Sequence, residues 1–398
     1  MNEKNFTVAI YSGNIPSTTF IENLIEGMAE AGLNILLFGK KTADVSYKGN
    51  VKVLASPQKM LPLAMFVARQ GLRLFLRDKM KFRELLKSGR SRFTSARYLF
   101  RDLGAMLPIL NAQPDVFHVQ WAKTVQVYPE LFELLDGKIA VSLRGAHINY
   151  SPLNDPGLAE TYSKIFPNVN AFHAVSEDIA REAEKYGADR KRITVIHSSV
   201  RDSLIDDETI NMPETNKLEI ISVGRFHWKK GYHYGLDAMR ILKQKNVDFH
   251  YTIVAQGEMT EEIIFLLNEY ELKDNVTIIP GLKYDKLIEK MKASHVLLLP
   301  SVEEGIANVV LEAMALGIPV ITTDCGGMDE VVRDNENGFI VNVRDPSALA
   351  EKILELKHKS KSELKEMIHH AKETIRNEFS RAKQIENFVA FYNSIAAG

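Results

Sequence analysis

Two pairs of charged side chains are spaced so that each could hold a polar group of a bound molecule. Arg225 and Lys230 lie five apart in Gly224-Arg-Phe-His-Trp-Lys-Lys230-Gly231, a loop between a strand-like run ending at Val223 and a helix start. A guanidinium makes a forked contact and an ammonium acts as a point charge, so together they suit a diphosphate; the same loop also reads as a solvated basic turn. The second pair is Glu304 and Glu312, in Pro300-Ser-Val-Glu-Glu304-Gly305-Ile306-Ala307-Asn308-Val-Val-Leu-Glu312-Ala-Met-Ala-Leu-Gly317-Ile-Pro319. A helix is predicted over Asn308 to Gly317, with Glu304 just ahead of it and Glu312 a little over one turn inside. Eight residues of helix leave the two carboxylates roughly 80° apart around the axis, an angle at which both could face one molecule. The amides of Gly305, Ile306, Ala307 and Asn308 point at the same place. Two glutamates near a helix are most often plain surface charge, but Val309, Val310, Met314 and Pro319 make this stretch strongly apolar. A third segment, Ser12-Gly-Asn-Ile-Pro-Ser17-Thr18-Thr19, is a small-residue loop entering a helix whose free amides suit an anion; a tight turn is the alternative.

These residues need a scaffold, and the apolar patterning describes one. Runs of four to seven apolar residues alternate with helical-period segments along the chain, the mark of parallel strands joined by crossover helices. Strands are predicted at Phe6 to Ser12, Leu33 to Phe38, Val116 to Val119, Ile139 to Leu143, Ala171 to Val175 and Ile193 to His197. A second series runs through Leu218 to Val223, Phe249 to Val254, Val276 to Ile279, Val296 to Leu299 and Val320 to Thr323. Helices in that half begin near Tyr232, Glu261, Asp285, Asn308 and Met328. Thr19-Phe-Ile-Glu22 reads as a capping box and Ser176 as a helix cap. The polar stretch from Arg201 to Pro213 reads as a linker, which makes the fold class α/β, with two Rossmann-like doubly wound domains. Their expected bounds are 1–203 and 204–380, with a terminal helix over 381–398.

Composition closes off other classes. The 398 residues are 45% hydrophobic and 25% charged, with a net charge of -1 and one cysteine, Cys325. No internal disulfide, secretory leader or membrane-length apolar run is present, so a cytoplasmic enzyme is expected. There is no Asp-x-Asp triplet, and the histidines lack metal-ligand spacing, so no metal site and no cofactor beyond the donor substrate are expected.

Taken together, Glu304 with seven residues before Glu312, the Gly-Arg-x4-Lys-Gly segment and Gly326-Gly327-Met-Asp-Glu330 resemble glycosyltransferase family four, retaining enzymes of the GT-B fold. Ile15-Pro-Ser-Thr-Thr-Phe-Ile21 is similar to the opening of bacterial exopolysaccharide members, and Asp115-Val-Phe-His-Val-Gln-Trp121 and Val175-Ser-Glu177 fall at the expected intervals. The resemblance implies two domains facing across a cleft, the last helix crossing back to the first. It implies a metal-independent hexosyltransferase of cell-surface polysaccharide synthesis, taking a UDP- or GDP-sugar to a hydroxyl of a glycan or lipid-linked acceptor. By the same resemblance Arg225 and Lys230 neutralise the donor diphosphate as it leaves, and Glu312 takes the ribose hydroxyls. Glu304 and the amides from Gly305 to Asn308 hold the transferred sugar, and the Ser17–Thr18 loop stands beside phosphates and acceptor. Members commonly carry His-Gly where this chain has Arg144-Gly145-Ala146-His147, so Arg144 becomes the cationic contact, with His147 as the alternative. His197-Ser-Ser-Val-Arg201 replaces the usual Asn-Gly-Val-Asp. An epimerase or hydrolase on the same fold, and a catalytically lapsed scaffold favoured by the Arg144 departure, are the other readings.

One stretch fits none of these roles. From Arg69 to Arg101 there are eleven basic residues against Asp78 and Glu84, a charge of +9 that leaves the rest of the chain near -10. Ala64 to Leu86 reads as a basic amphipathic helix with Arg69, Arg73 and Arg77 four apart and Leu72, Phe75, Leu76 and Met80 on an apolar side. The stretch 64–101 either rests on an anionic membrane surface or packs its apolar side on its own domain. Nucleic acid is not expected as a partner, since interleaved aromatic platforms are missing.

Overall fold

The computed structural model describes residues 6–92, 95–206 and 215–397. Most of the expected linker therefore lies outside the described residues, as do the side chains of Arg90 and Arg92. The chain divides into two compact units, Met1–Ile196 with Ile385–Gly398, and His197–Gln384.

The first unit holds a seven-stranded sheet of β1 (Thr7–Ile15), β2 (Asn34–Lys41), β3 (Val51–Ser56), β4 (Val116–Val119), β5 (Lys138–Leu143), β6 (Ala171–Ala174) and β7 (Ile193–Val195). All pairings are parallel, in the order β3-β2-β1-β4-β5-β6-β7. Both faces of the sheet are covered, because alternate residues of one strand point opposite ways: Val8 and Ile10 enter one apolar cluster, Ala9 and Tyr11 the other. The second unit repeats the plan with β8 (Leu218–Arg225), β9 (Phe249–Gln256), β10 (Val276–Ile279), β11 (Val296–Leu299), β12 (Val320–Thr323) and β13 (Phe339–Val341), ordered β10-β9-β8-β11-β12-β13. Strand order reverses beside β1 in one sheet and β8 in the other, and the crevice at such a point is where open α/β sheets bind ligands.

Residues Ile385 onward belong to the first unit, within a helix over Arg381–Ala397. Phe388, Phe391, Tyr392 and Ile395 bury against Val8, Ile10 and Val116. A buried polar chain fastens them. His173 Nε2 faces the Ile196 carbonyl at 2.9 Å and therefore carries the proton, so its Nδ1 accepts from Ser142 at 2.8 Å. Ser142 Oγ then accepts from His118 Nε2 at 2.9 Å, and His118 Nδ1 accepts from the Tyr392 hydroxyl at 2.6 Å. Burial holds His118 far below the usual imidazole range, at about 3, with Arg144 adding a smaller push in the same direction.

Several local expectations change. Ser176 caps its helix as expected, accepting from Ile179 N at 3.2 Å. Thr19 does not: helix α1 (Thr19–Glu30) starts one residue earlier than a Thr19 cap allows, with Thr18 as its N-cap. Glu22 reaches back to the Ser17 amide at 2.6 Å and takes the Tyr47 hydroxyl at 2.7 Å. The expected helix at Met328 is a set of turns, because its buried side chains Met328, Val331 and Val332 are followed by an Asn337 whose side chain takes the Arg333 amide at 2.7 Å and closes the chain into β13. Strands β3 and β13 have no counterpart in the sequence reading; β3 is edge-placed and mostly half-exposed, which hides its period.

Candidate active site

In the second unit the switch point lies between the carboxyl ends of β8 and β11, and the chain places its charged residues there. Arg225 closes β8 and stays exposed; among the described residues no acceptor takes its guanidinium. A short 3-10 turn, Trp228–Lys230, then swings Lys230 back over the sheet. That reversal needs Gly231, whose φ of 59° suits no branched side chain and whose added Cβ would lie 2.0 Å from the Pro300 carbonyl oxygen. Lys230 Nζ donates to Glu304 Oε1 at 2.5 Å, and Ser301 Oγ donates to the same oxygen at 2.9 Å. Both charged side chains are nearly buried, 12% and 9% exposed. The family resemblance implies a phosphate for Lys230 and a sugar for Glu304; the structure also pairs the two with each other. An ammonium has three N–H groups, so Lys230 keeps donors for a further anion.

Glu304 is held from below by the glycine pair. Gly326 adopts φ +60°, a Cβ there would sit 1.9 Å from the Glu304 carbonyl oxygen, and the Gly327 amide donates to the Gly305 carbonyl at 2.8 Å. The helix Asn308–Ala315 follows with Ala307 as N-cap and no side chain capping it. Among the described residues nothing accepts from the amides of Gly305, Ile306, Ala307 or Asn308, so four donors and the positive end of the helix face the crevice.

Glu312 sits in different surroundings. Tyr284 donates its hydroxyl to Oε1 at 3.2 Å, and the Arg201 guanidinium lies 3.8 Å from the centroid of the Tyr284 ring. Burial raises the Glu312 carboxyl above its ordinary value, opposed by the Tyr284 hydrogen bond and by Arg201. The two glutamates have no hydrogen-bond partner in common: Glu304 belongs with Lys230 and Ser301, Glu312 with Tyr284 and Arg201.

The first unit gathers its own polar group at the ends of β1, β4 and β5. Ser17 is largely committed, its amide to Glu22 and its hydroxyl to the Ser12 carbonyl at 3.2 Å, whereas Thr18 is exposed. Both line a pocket of about 640 Å³ with Tyr11, Lys40, Trp121 and Tyr128. Arg144 follows β5; its guanidinium stacks over Phe20 at 4.8 Å and donates to Gln120 Oε1 at 3.2 Å. Among the described residues its buried Nε has no partner and no carboxylate pairs with the guanidinium, and burial lowers its pKa to about 10. His147 packs its ring against Trp121 at 5.4 Å, and burial lowers its pKa to about 4, so it is neutral at pH 7.

Known proteins match both halves. Residues 17–204 match the family model described as Glycosyltransferase Family 4, and 206–374 the model described as Glycosyl transferases group 1. The Escherichia coli (strain K12) glycosyltransferase WcaL, named for colanic acid biosynthesis, is 31% identical over 276 residues, 67% of each chain. The chain belongs to the group 1/family 4 glycosyltransferases. AmsK of Erwinia amylovora, an amylovoran biosynthesis glycosyltransferase of the same kind, is 27% identical over 296 residues, 69% of this chain and 70% of AmsK. The fold is shared with Anabaena HepE, crystallised with UDP-glucose, at a TM-score of 0.68 and 15% identity over 98% of this chain and 100% of that one. The two parallel sheets are thus those of a GT-B glycosyltransferase.

Ser301, Tyr284 and Arg201 escaped the sequence reading as site residues. Ser301 and Tyr284 follow strands β11 and β10, so the rule that ligands sit at carboxyl ends reaches them, whereas Arg201 precedes the first strand of its unit. What concealed Tyr284 and Arg201 was spacing, since their contacts span gaps of 28 residues and more, whereas Ser301 stands only three residues before the Glu304 it serves. Tyr232 also escaped it; among the described residues its buried hydroxyl has no partner, and its pKa is raised by burial, the nearby Tyr251 and the charge of Glu304.

Proposed function

We propose that this family 4 enzyme is a retaining, metal-independent hexosyltransferase that moves a sugar from a UDP- or GDP-sugar to a hydroxyl of a glycan or lipid-linked acceptor in cell-surface polysaccharide synthesis. The observation that carries the reading is the cluster at the β8–β11 switch point: a free guanidinium, a buried Lys230–Glu304 pair and four unpaired amides. In this reading Arg225 forks onto the diphosphate and Lys230 turns a second N–H to it, so the charge that develops on the leaving group is met as it forms. A positioned donor of this kind typically contributes about 3 to 4 kcal/mol. Glu304, with the amides of Gly305 to Asn308, accepts from and donates to the hydroxyls of the transferred sugar. Glu312 takes the ribose hydroxyls, with the Tyr284 hydroxyl and Arg201 opposing the effect of burial on its carboxyl.

The acceptor falls to the first unit. Tyr11, Tyr128 and Trp121 offer ring faces suited to the apolar faces of a pyranose, and Thr18 offers a hydroxyl. Arg144, an uncompensated cation where members commonly place a histidine, takes an acceptor or phosphate oxygen. The likeness to WcaL and AmsK supports a polysaccharide setting. The test is calorimetry with nucleoside diphosphates and their sugars on the wild type and on Arg225→Ala, Lys230→Ala and Glu312→Ala. Binding that each substitution weakens by tenfold or more supports the donor site and names the base. Absence of binding by every nucleotide would overturn it, and product analysis separates transfer from hydrolysis or epimerisation.

A further inference from the structure

The basic stretch of the first unit folds differently from its sequence reading, and the difference carries a binding surface. The single helix expected over 64–86 is two, α2 (Met60–Arg77) and α3 (Lys79–Arg92). The break is at Asp78, which is extended and accepts the Lys81 amide at 3.0 Å, as a helix cap does. Arg77 turns inward to the carbonyls of Leu110 and Asn111, and Lys81 pairs with Asp136 at 2.5 Å, so these two cations serve the fold.

The apolar side chains do the opposite. Helix α2 buries Leu63, Val67, Gly71 and Leu74 against its own unit. On the opposite face Leu61, Met65, Leu72 and Leu76 are 59% to 73% exposed, and Met80 of α3 is 63% exposed. With the exposed Ala68 the α2 positions follow a spacing of four, three, four and four, which places them within an arc of roughly 80°. An ordinary surface helix has one apolar face; this one has two, and the outer is an unbroken aliphatic stripe about 22 Å long. Arg69 and Arg73 flank the stripe, exposed, and among the described residues neither makes an ion pair. Lys79 and Arg83 continue the cationic edge.

We propose that this outer face of α2 and the start of α3 lies in the headgroup layer of an anionic membrane. The stripe is made of leucine, methionine and alanine, with neither a hydrogen-bonding group nor an aromatic anchor of the kind that fixes one protein partner. A fluid apolar layer accepts such side chains in any rotamer. Flanking guanidiniums on long stems reach lipid phosphates while the leucines enter the acyl boundary, the arrangement of an in-plane interfacial helix. The charge complement of the edge is anionic lipid. Because the inner face of α2 is packed into the first unit, insertion of the stripe would anchor that whole unit at the surface. The surface is independent of the donor site, so the two readings fail separately.

Flotation of the full chain with vesicles of phosphatidylcholine, with and without phosphatidylglycerol, tests it. The wild type is expected to float with the anionic vesicles and to be released by salt. Leu72→Glu/Leu76→Glu changes only exposed positions and is expected to weaken partition by tenfold or more, with the circular dichroism spectrum and the nucleotide-induced thermal shift of the wild type retained. Arg69→Glu/Arg73→Glu is expected to remove the preference for phosphatidylglycerol. Equal partition of the wild type and the double leucine variant would overturn the proposal. So would a wild-type dimer that this variant dissolves, since the stripe would then meet a second copy of the chain.

Discussion

Lys230→Met tests the pairing of Lys230 with Glu304 before any sugar is added. Removing one partner of a nearly buried ion pair leaves the other charge uncompensated, which costs about 3–5 kcal/mol. Glu304 would keep only the Ser301 hydroxyl on its inner oxygen. In a unit of this size a kcal/mol moves the melting temperature by about 2–4 °C, so the variant is expected to melt about 10 °C below the wild type. Glu304→Gln removes the charge but keeps an acceptor oxygen for the ammonium, and is expected to cost about half as much. In the double variant no charge is stranded, and most of the stability returns; the two costs are therefore strongly non-additive. Differential scanning calorimetry of the four proteins measures the coupling, and titration with UDP and GDP runs beside it. The double variant is expected to recover its melting temperature without recovering nucleotide affinity, which separates a structural pair from one that also serves the donor. Additive costs, or a Lys230→Met protein within about 1 kcal/mol of the wild type, would refute the reasoning.

Four further outcomes follow from particular contacts. His118 titrates near 3 when folded against 6.5 when free, so the unfolded chain takes up the proton first and stability falls as pH drops below 6.5; the loss reaches about 2 kcal/mol at pH 5. His118→Gln is expected to roughly halve the slope of melting temperature between pH 7 and 5, because His147, held at about 4, contributes nearly as much over that range, and an unchanged slope would remove His118 as a source. Gly326→Ala forces a Cβ onto the Glu304 carbonyl from a left-handed backbone, and is expected to cost about 2–3 kcal/mol and weaken nucleotide binding in calorimetry. Burial pushes the Cys325 thiol up to about 12, so alkylation by iodoacetamide at pH 8, followed by mass spectrometry, is expected only after denaturation. Transfer activity is expected to persist in EDTA, because Arg225 and Lys230 supply the positive charge at the diphosphate; a loss restored by one added divalent metal would assign that charge to the metal instead.

The two sheets were legible from the sequence because a parallel strand covered on both faces must be apolar throughout, as in Val296–Leu299, and a crossover helix must change the period. The same logic marked Arg225, Glu304, Gly305 and Asn308 as candidates, since residues following strands border the crevice of an open α/β sheet. Edge strands such as β3 carry a weaker signal, because one side of them faces water. Tertiary structure alone decided which charges meet. Lys230 is 74 residues from Glu304, and only the order β8-β11 brings their loops together. It also decided which side of α2 is buried, since the helix is apolar on two faces and its period fits either. Local spacing determines which side chains share a face; what that face touches depends on strand order and on neighbours distant in the chain.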